Sequence, residues 1–357
     1  MITPRENYLR ALEFRGPEWV PVTPGILFAT WHKYREQLEE IVLEHRWLFP
    51  EHERGCVDFD DFPVTSRPDT SYRDEWGCLW RTIHGGRLGQ VVEHPLAKRS
   101  AFDGYSPPDP DGGIDWEENR RLCEAKRQQG LPVMGVGSNL FDLLIDLRGF
   151  ENLMVDLATD SDEFHALVDV VWKYNTRLIS RWLEIGVDVM YFHGDIGTQR
   201  GPMISCQMFQ DRIKPLYSDL FTRCRSAGAH VFYSCDGNIA PLIDDLIDDL
   251  IDDLIDDLID CGVSLHDPQY RAHTLSGIAA TYGGKMCAQV DLDQQQILPF
   301  GSPEEVRLHV QEVVETLEAA AGGLMIYAEL QPEYPLGNIR ALCEALRKHC
   351  FVRGLSG

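Results

Sequence analysis

The sequence lacks the paired cysteines that mark a disulfide framework or a structural zinc site. Ten cysteines are scattered through 357 residues without a CxxC pair or a regular spacing. Small apolar thiols without partners are most often buried in the reduced form. We therefore expect most of these cysteines to be core residues.

Long apolar runs and a secretion signal are also missing. No stretch comes near the roughly 20 uninterrupted apolar residues that a membrane-spanning helix needs. The opening sequence, MITPRENYLRALEFRG, mixes charges with apolar residues, whereas a signal peptide has an apolar core and a cleavage pattern. These absences predict a cytoplasmic protein that neither spans nor binds a membrane.

Basic residues are few compared with acidic ones. Lys and Arg number 33 against 57 Asp and Glu, which gives a formal net charge of -24. This charge repels nucleic acid and anionic lipid, and no cluster of Lys or Arg offsets it. The composition favours a small-molecule substrate and argues against a nucleic-acid partner.

From about residue 130 onward, short apolar runs alternate with longer helical patterns. This rhythm is typical of βα units around a parallel sheet. An open, doubly wound sheet is the alternative, but no GxGxxG or GxxxxGK[ST] loop follows any candidate strand. We therefore predict an α/β protein of the (β/α)8 TIM barrel type, a single domain over residues 1–357 with an N-terminal helical extension. The eight predicted strands occupy residues 19–27, 55–64, 131–137, 187–195, 229–237, 262–268, 285–293 and 324–330.

Three helices are predicted with clear limits, at residues 162–186, 208–228 and 302–323. The last has Ser302 as its N-cap, followed by proline and a capping-box glutamate, and it ends at Gly322. Residues 65–130 are rich in glycine, proline and aromatic residues. We expect them to form a long excursion with a short hairpin that covers the barrel mouth.

Residues 241–260 repeat a four-residue LIDD unit. In an α-helix a four-residue step turns 400°, so the apolar stripe drifts by roughly 40° per unit and cannot stay against one surface. The aspartates also repel one another at i,i+4. We interpret the repeat as a tandem duplication that lengthens one barrel helix. The alternative is a helix that binds a cation or a partner.

Polar residues stand at the carboxyl ends of the predicted strands. In a parallel barrel these ends share one face, which is where active sites lie. Carboxylates gathered in a partly dry site repel one another, which raises some pKa values unless a cation is bound. Such a site is suited to general acid and base chemistry or to a divalent metal. The residues at these ends are Asp60, Asp61, Asn139, His193, Asp195, Ser234, Cys235, Asp236, His266, Asp267, Asp291, Asp293 and Glu329.

We assign provisional roles within this set and the loop that follows His193. The predicted catalytic residues are Asp61, Asp195 and Asp236, and the predicted substrate ligands are Asn139, His193, Gln199 and His266. The predicted metal ligands, for zinc or a harder cation, are Asp236, Glu329 and His193. Each aspartate also has a structural interpretation as a turn or cap residue.

Several segments together resemble the uroporphyrinogen decarboxylase superfamily. They are TPRENYLRALEFRGPEWVPV, DEWGCLW, VEHPL, LRGFENLM, GDIGTQ, DGNI and PEYPLGNI, spread over nearly the whole chain. The resemblance implies a (β/α)8 barrel and a homodimer. The superfamily also contains corrinoid-linked methyltransferases that act on coenzyme M and on methoxylated compounds, so a corrinoid protein is an expected partner.

The chain departs from the decarboxylase pattern. The arginine-rich RQAGR segment that holds substrate carboxylates is replaced by PGILFATWHKYRE. The FSDI motif corresponds to FDDF and places the implied catalytic aspartate at Asp61. The tyrosine and histidine of two other motifs fall near Ile145 and Ala328. Uroporphyrinogen itself is therefore not the expected substrate.

The chain also departs from the methyltransferase pattern. The resemblance implies zinc bound by an HxC pair after the sixth strand and by a cysteine after the eighth. Here the HxC positions hold Ser234 and Asp236, and the distal position is Ala328 or Glu329.

Three functions are consistent with these residues. The first is transfer of a methyl or other one-carbon group on a small substrate, with or without a corrinoid. The second is decarboxylation of another carboxylic acid, with Asp61 as the proton donor or cation stabiliser. The third is a ligand-binding barrel without catalysis.

Overall fold

The computed structural model describes residues 2–83, 85, 87–137, 139–239, 262–317 and 321–351. The chain divides into two units: the first contains Met1–Tyr8, Arg73–Leu79 and Val91–Ala272, and the second Leu9–Tyr72, Trp80–Gln90 and His273–Gly357. The single domain over residues 1–357 stays a prediction. The predicted LIDD helix at 241–260 lies outside the described residues.

The strands and helices are numbered in chain order. The strands are β1 Val22–Ile26, β2 Ser71–Arg73, β3 Leu79–Arg81, β4 Gln90–Glu93, β5 Met134–Val136, β6 Val189–His193, β7 His230–Ser234, β8 Leu265–His266, β9 Cys287–Asp291 and β10 Leu324–Leu330. The helices are α1 Pro4–Leu12, α2 Phe28–Glu44, α3 Trp116–Gln128, α4 Leu140–Arg148, α5 Phe150–Thr159, α6 Asp162–Ile185, α7 Cys206–Met208, α8 Lys214–Ser226, α9 Tyr270–His273, α10 Leu275–Tyr282, α11 Ile297–Phe300, α12 Pro303–Thr316 and α13 Leu336–Leu346. A π-helical turn, Phe209–Ile213, leads into α8, and another, Arg347–Phe351, follows α13.

In the first unit, strands β5, β6, β7 and β8 lie side by side in that order, and all are parallel. Val189, Met190 and Phe192 of β6 are fully buried, as expected for a strand covered on both faces. Gly135 of β5 allows α6 to approach closely, because a Cβ there would lie 2.9 Å from the indole of Trp182. The carboxyl ends of these strands therefore share one edge.

In the second unit, β10 lies between β9 and β1, and both pairings are parallel. The end of α1 packs against the start of β10, where the Gly323 N–H donates to the Ala11 carbonyl at 2.7 Å. Gly323 has a φ of +83°, and a Cβ there would collide with the Phe14 ring. Helix α12 begins with the predicted capping box of Ser302 and Glu305.

The prediction of a strand at residues 55–64 is wrong. This segment forms turns and leads into a 3₁₀ turn at Val64–Ser66. Its apolar positions are explained by packing on α2, since Phe59 lies 6.0 Å from Trp31 and Phe62 lies 4.8 Å from Phe28, measured between ring centroids. The described residues thus contain seven of the eight predicted barrel strands. An α/β fold of parallel strands is confirmed, but a closed eight-stranded barrel is not.

Other predictions have mixed outcomes. The helices predicted at 162–186 and 208–228 are present, and the excursion at 65–130 contains three short strands and α3. That the excursion covers a barrel mouth stays a prediction. Within the described ranges, no helix combines the length and apolarity needed to cross a bilayer. Seven of the nine described cysteines are buried.

Candidate active site

Four side chains from the strand ends of the first unit meet one side chain from α4. His193 and Ser234 are the last residues of neighbouring strands and are partners in the parallel register. Asp195 follows β6 after one glycine, and Asp267 directly follows β8. We call the resulting group the aspartate–histidine cluster: Asp142, His193, Asp195, Ser234 and Asp267.

His193 is the central side chain of this cluster. Its Nε2 lies 3.4 Å from Asp195 Oδ1 and 3.7 Å from Asp142 Oδ2. Burial acts to lower the pKa of His193, but the hydrogen bond and charge of Asp195, with the charges of Asp142 and Asp267, outweigh it and raise the pKa to about 9. The imidazole is therefore protonated at neutral pH.

A directed hydrogen-bond chain leads from His193 to Asp267. His193 Nδ1 lies 3.2 Å from the Ser234 hydroxyl oxygen, and that hydroxyl donates to Asp267 Oδ2 at 2.6 Å. The Cys235 N–H donates to the other Asp267 oxygen at 3.1 Å. Burial is the main cause that raises the pKa of Asp267 to about 7, and the charge of Asp236 adds to it. Asp267 can therefore gain or lose a proton near neutral pH.

Asp195 remains ionised although it is partly buried. Burial acts to raise its pKa, but the hydrogen bond and charge of His193 and the N–H of Asp236 outweigh it, so the pKa is lowered. The Asp236 N–H donates to Asp195 Oδ1 at 2.8 Å. Asp195 and His193 thus form an ion pair at neutral pH.

Asp142 brings a second carboxylate to the same histidine. Both of its oxygens lie 3.3 Å from the Asp195 N–H. Burial is the main cause that raises the pKa of Asp142 to about 6, followed by the charge of Asp195. The pKa of Asp195 is thus lowered and that of Asp142 is raised. In many active sites such a separation of pKa values distinguishes the acid from the base.

Two loops hold the strand ends in place. The Asn238 N–H donates to the Thr198 carbonyl at 2.7 Å, so the loop after β6 is paired with the loop after β7. Gly237 has a φ of +84°, and a Cβ there would lie 2.6 Å from the Gly197 carbonyl carbon. The glycines of the GDIGTQ and DGNI segments are therefore needed for this close crossing, which fixes the position of Asp195.

A small apolar cavity adjoins these loops. It has a volume of about 20 Å³, and its lining includes Ile196, Ile204, Phe209, Tyr233 and Cys235. A cavity of this size accepts a group about as large as one water molecule or a methyl group. Its lining is apolar, which favours the methyl group over water.

The other predicted ligands of the first unit lie in different surroundings. Asn139 is exposed at the start of α4, and the exposed Gln199 donates to Gln269 at 3.1 Å. His266 is fully buried, and its ring stacks 6.1 Å from that of Tyr233. Cys235 is also buried, and burial raises the pKa of its thiol. A buried, protonated thiol is a poor nucleophile.

Two predicted site residues belong to the second unit. Asp61 has a side chain that is 78% exposed and lies 3.9 Å from Arg67, in a loop rather than at a strand end. Glu329, on β10, accepts hydrogen bonds from the Tyr327 hydroxyl and the Gln331 amide, both at 2.9 Å. Their predicted roles stay predictions.

The predicted metal ligands stay a prediction. In the part of the chain that the structure describes, no three or more His, Cys, Asp or Glu side chains form a group that could hold a metal ion. His193 instead uses its two ring nitrogens in contacts with Asp195 and Ser234.

Asp142 is the residue that sequence reasoning missed. It lies inside a helix whose neighbours Phe141, Leu143 and Leu144 are buried. A usable signal was present, because Asp142 and Asp146 stand four residues apart in a helix that is apolar except for these two residues and Arg148. Such a pair on a core-facing helix indicates a polar site beneath it.

Asp146 allows a test of this electrostatic description. Burial, followed by the charges of Asp142 and Asp74, raises its pKa to about 7. The folded protein therefore binds this proton more tightly than the unfolded chain, and stability is lost as the pH rises through 7. Asp146→Asn cannot ionise, so its stability relative to the wild type should be higher at pH 8 than at pH 5 by roughly 1–2 kcal/mol after allowance for solvent screening.

Urea unfolding at the two pH values measures this difference. Asp103→Asn, at an exposed position of the same unit, serves as the control. A relative stability of Asp146→Asn that does not change between pH 5 and pH 8 contradicts the raised pKa.

The strands and the ionisable cluster at their carboxyl ends define the class of protein. Active sites of parallel α/β barrels lie at this edge. The profile of the uroporphyrinogen decarboxylase (URO-D) family matches residues 83–349. The chain belongs to the uroporphyrinogen decarboxylase (URO-D) family. A comparison with curated protein sequences gave no match.

Solved structures show a similar fold. A methyltransferase from Methanosarcina mazei aligns over 98% of this chain and 99% of its own, with a TM-score of 0.66 and 18% identity. A dihydropteroate synthase from Xanthomonas albilineans aligns over 60% of this chain and 68% of its own, with a TM-score of 0.33 and 12% identity. The first supports the fold over the whole chain, and the second is too distant to support an argument.

Proposed function

We propose that this protein is an enzyme that transfers a methyl or other one-carbon group from a small substrate to an acceptor, with the aspartate–histidine cluster as its acid and base. The observation that carries the proposal is the hydrogen-bond chain from His193 through Ser234 to Asp267. Family membership and the full-length likeness to a methyltransferase support this reaction class.

The chemistry requires a proton at a defined place. When a methyl group leaves an oxygen or sulfur atom, the carbon–heteroatom bond breaks and its electron pair stays on the heteroatom. A nearby acid lowers the barrier by protonating that atom. The protonated His193 can provide this proton from Nε2, because its contacts to Asp195 and Asp142, at 3.4 and 3.7 Å, are long enough to yield to a substrate atom.

His193 Nε2 then takes up a new proton from solvent, because Nδ1 keeps its own proton in the contact with the Ser234 hydroxyl. Asp267 accepts the hydrogen bond of that hydroxyl at 2.6 Å and so holds the contact in place. Asp195 stabilises the imidazolium between turnovers. The methyl group itself would be placed in the apolar cavity of about 20 Å³ beside Ile196 and Cys235.

The acceptor is a second part of the proposal. A corrinoid on a partner protein would take up the methyl group when bound, as the family resemblance suggests. We also propose that the protein is a homodimer and that it is cytoplasmic. A substrate with many carboxylates is disfavoured, because the cluster contains three aspartates and the arginine-rich segment of the decarboxylases is absent.

The proposal is tested by incubating the purified protein with methoxylated aromatics, methylated amines and methylated thiols, using reduced cobalamin as the probe acceptor. We expect one class to produce methylcobalamin and the demethylated product in equal amounts, measured by absorbance and mass spectrometry. Release of carbon dioxide from a carboxylic acid without methyl transfer would instead establish a decarboxylase. Ligand-induced thermal stabilisation without any turnover would support a binding protein, and both outcomes contradict the proposal.

A further inference from the structure

A row of reactive side chains lies in the second unit, and none of them belongs to the aspartate–histidine cluster. The Cys56 sulfur is 3.5 Å from His52 Nδ1, and His52 Nε2 is 3.3 Å from Glu39 Oε1. A nucleophile, a base and a carboxylate that orients the base are the three parts of an activated thiol. We call these residues the Cys56 row.

The base is held in one orientation. Glu39 is a buried residue of α2, and its Oε1 also accepts the Gly55 N–H at 2.6 Å. The His52 ring stacks on Trp31 with a centroid distance of 5.2 Å and an interplanar angle of 10°. Because the Glu39 carboxylate accepts a hydrogen bond from Nε2–H, the lone pair of Nδ1 faces the Cys56 thiol. This is the tautomer that a general base for Cys56 needs.

The nucleophile is open to solvent. Of the nine cysteines in the described ranges, only Cys56 is classed as exposed. The Arg54 guanidinium lies 3.9 Å from Glu39 and pairs with Glu40 at 2.6 Å, so positive charge stands near the row. An accessible thiol beside a histidine is a setting that favours thiol reactivity.

We propose that Cys56 is a reactive-thiol site that takes up a low-molecular-weight disulfide as a mixed disulfide. His52 Nδ1 accepts the thiol proton, and the sulfur of Cys56 attacks one sulfur of the disulfide. One S–S bond forms and one breaks, and the departing thiolate takes a proton from the imidazolium. The disulfide is the oxidant, and His52 returns to its starting form. Glu39 acts as a positioning residue through His52.

The test measures reaction with dithiodipyridine, a small disulfide whose released thiol absorbs light. Peptide mass spectrometry locates the adduct and follows its formation. At pH 7 we expect Cys56 to react roughly tenfold faster or more in the folded protein than in the urea-unfolded chain, which is a modest effect for a positioned base. His52→Gln should lower the rate in the folded protein by a similar factor.

His32→Gln is the matched control. His32 is also a residue of α2, and its ring contacts the Phe59 carbonyl at 2.9 Å instead of the row. We expect this variant to react like the wild type. A Cys56 rate that is equal in folded and unfolded wild-type chains overturns the proposal without relying on any variant. A folded His52→Gln protein that reacts as fast as the wild type overturns it as well.

Discussion

Replacing His193 with glutamine is expected to lower kcat/KM for the methyl donor by about 10²- to 10⁴-fold, the range that a positioned acid contributes. Glutamine keeps a polar side chain at the end of β6 but can neither carry the charge nor transfer a proton. Its effect should fall mainly on kcat, because the lost proton transfer belongs to the chemical step. Steady-state kinetics with the donor found in the substrate screen measure the change.

His165→Gln is the control for this variant. His165 is an exposed histidine of the same unit, and its Nε2 lies 2.9 Å from Asp160. We expect its kcat/KM to stay within about twofold of the wild type, since surface pairs of this kind contribute little. If His193→Gln retains most of the wild-type kcat while remaining folded, His193 is not the acid.

Replacing Asp156 with asparagine is expected to destabilise the protein by about 3–5 kcal/mol, because it leaves a buried guanidinium without its counter-charge. Arg148 and Asp156 are both buried, and their side chains meet at 2.6 Å. Arg148 also donates to the carbonyls of Leu96 and Ala97 at 2.8 and 2.9 Å, so it cannot turn to solvent without breaking these bonds. Urea unfolding at pH 7 measures the loss.

Glu118→Gln provides the matched exposed pair. Glu118 meets Arg121 through two hydrogen bonds on the surface of α3. Its loss should leave the free energy of unfolding nearly unchanged, because surface ion pairs contribute little. If Asp156→Asn costs no more than Glu118→Gln, the buried pair of Arg148 and Asp156 is not a major source of stability.

Much of the fold could be predicted from the sequence, because buried parallel strands are continuous apolar runs. Residues 187–195 and 324–330 were predicted as strands for this reason, and β6 and β10 lie within them. The strand prediction failed at residues 55–64, where apolar and acidic residues alternate as they do in a half-buried strand. There the Asp58 carboxylate accepts the Asp60 N–H at 3.0 Å, a turn that competes with strand pairing.

The site could be predicted only in part. Strand ends indicated His193 and Asp195 because parallel strands bring their carboxyl ends together. Asp142 could not be connected with them. Its spacing from Asp146 indicates a polar site, but the sequence does not indicate which strands this helix faces. The same limit applies to Asp61, where a family motif indicated a role but gave no geometry. Pairings between distant segments depend on packing, which local patterns do not encode.

The Cys56 row could not be predicted from the sequence either. His52 and Cys56 are four residues apart, yet nothing in the sequence connects them with Glu39 in a preceding helix. The connection arises because aromatic residues pack the 50–62 segment onto α2, as the stacking of Trp31 on His52 illustrates. This packing was hidden by the incorrect prediction of a strand at 55–64.

The charge of His193 is the property on which the proposed chemistry depends. An NMR titration of histidine-labelled protein, with His193→Gln to assign the resonance, measures it without any substrate. We predict that the His193 imidazole titrates with a pKa of about 9, held above its ordinary value by Asp195, Asp142 and Asp267 against the opposing effect of burial. A pKa at or below about 6.5, the value of an unperturbed histidine, would contradict the account, because His193 would then be neutral under working conditions and could not be the acid.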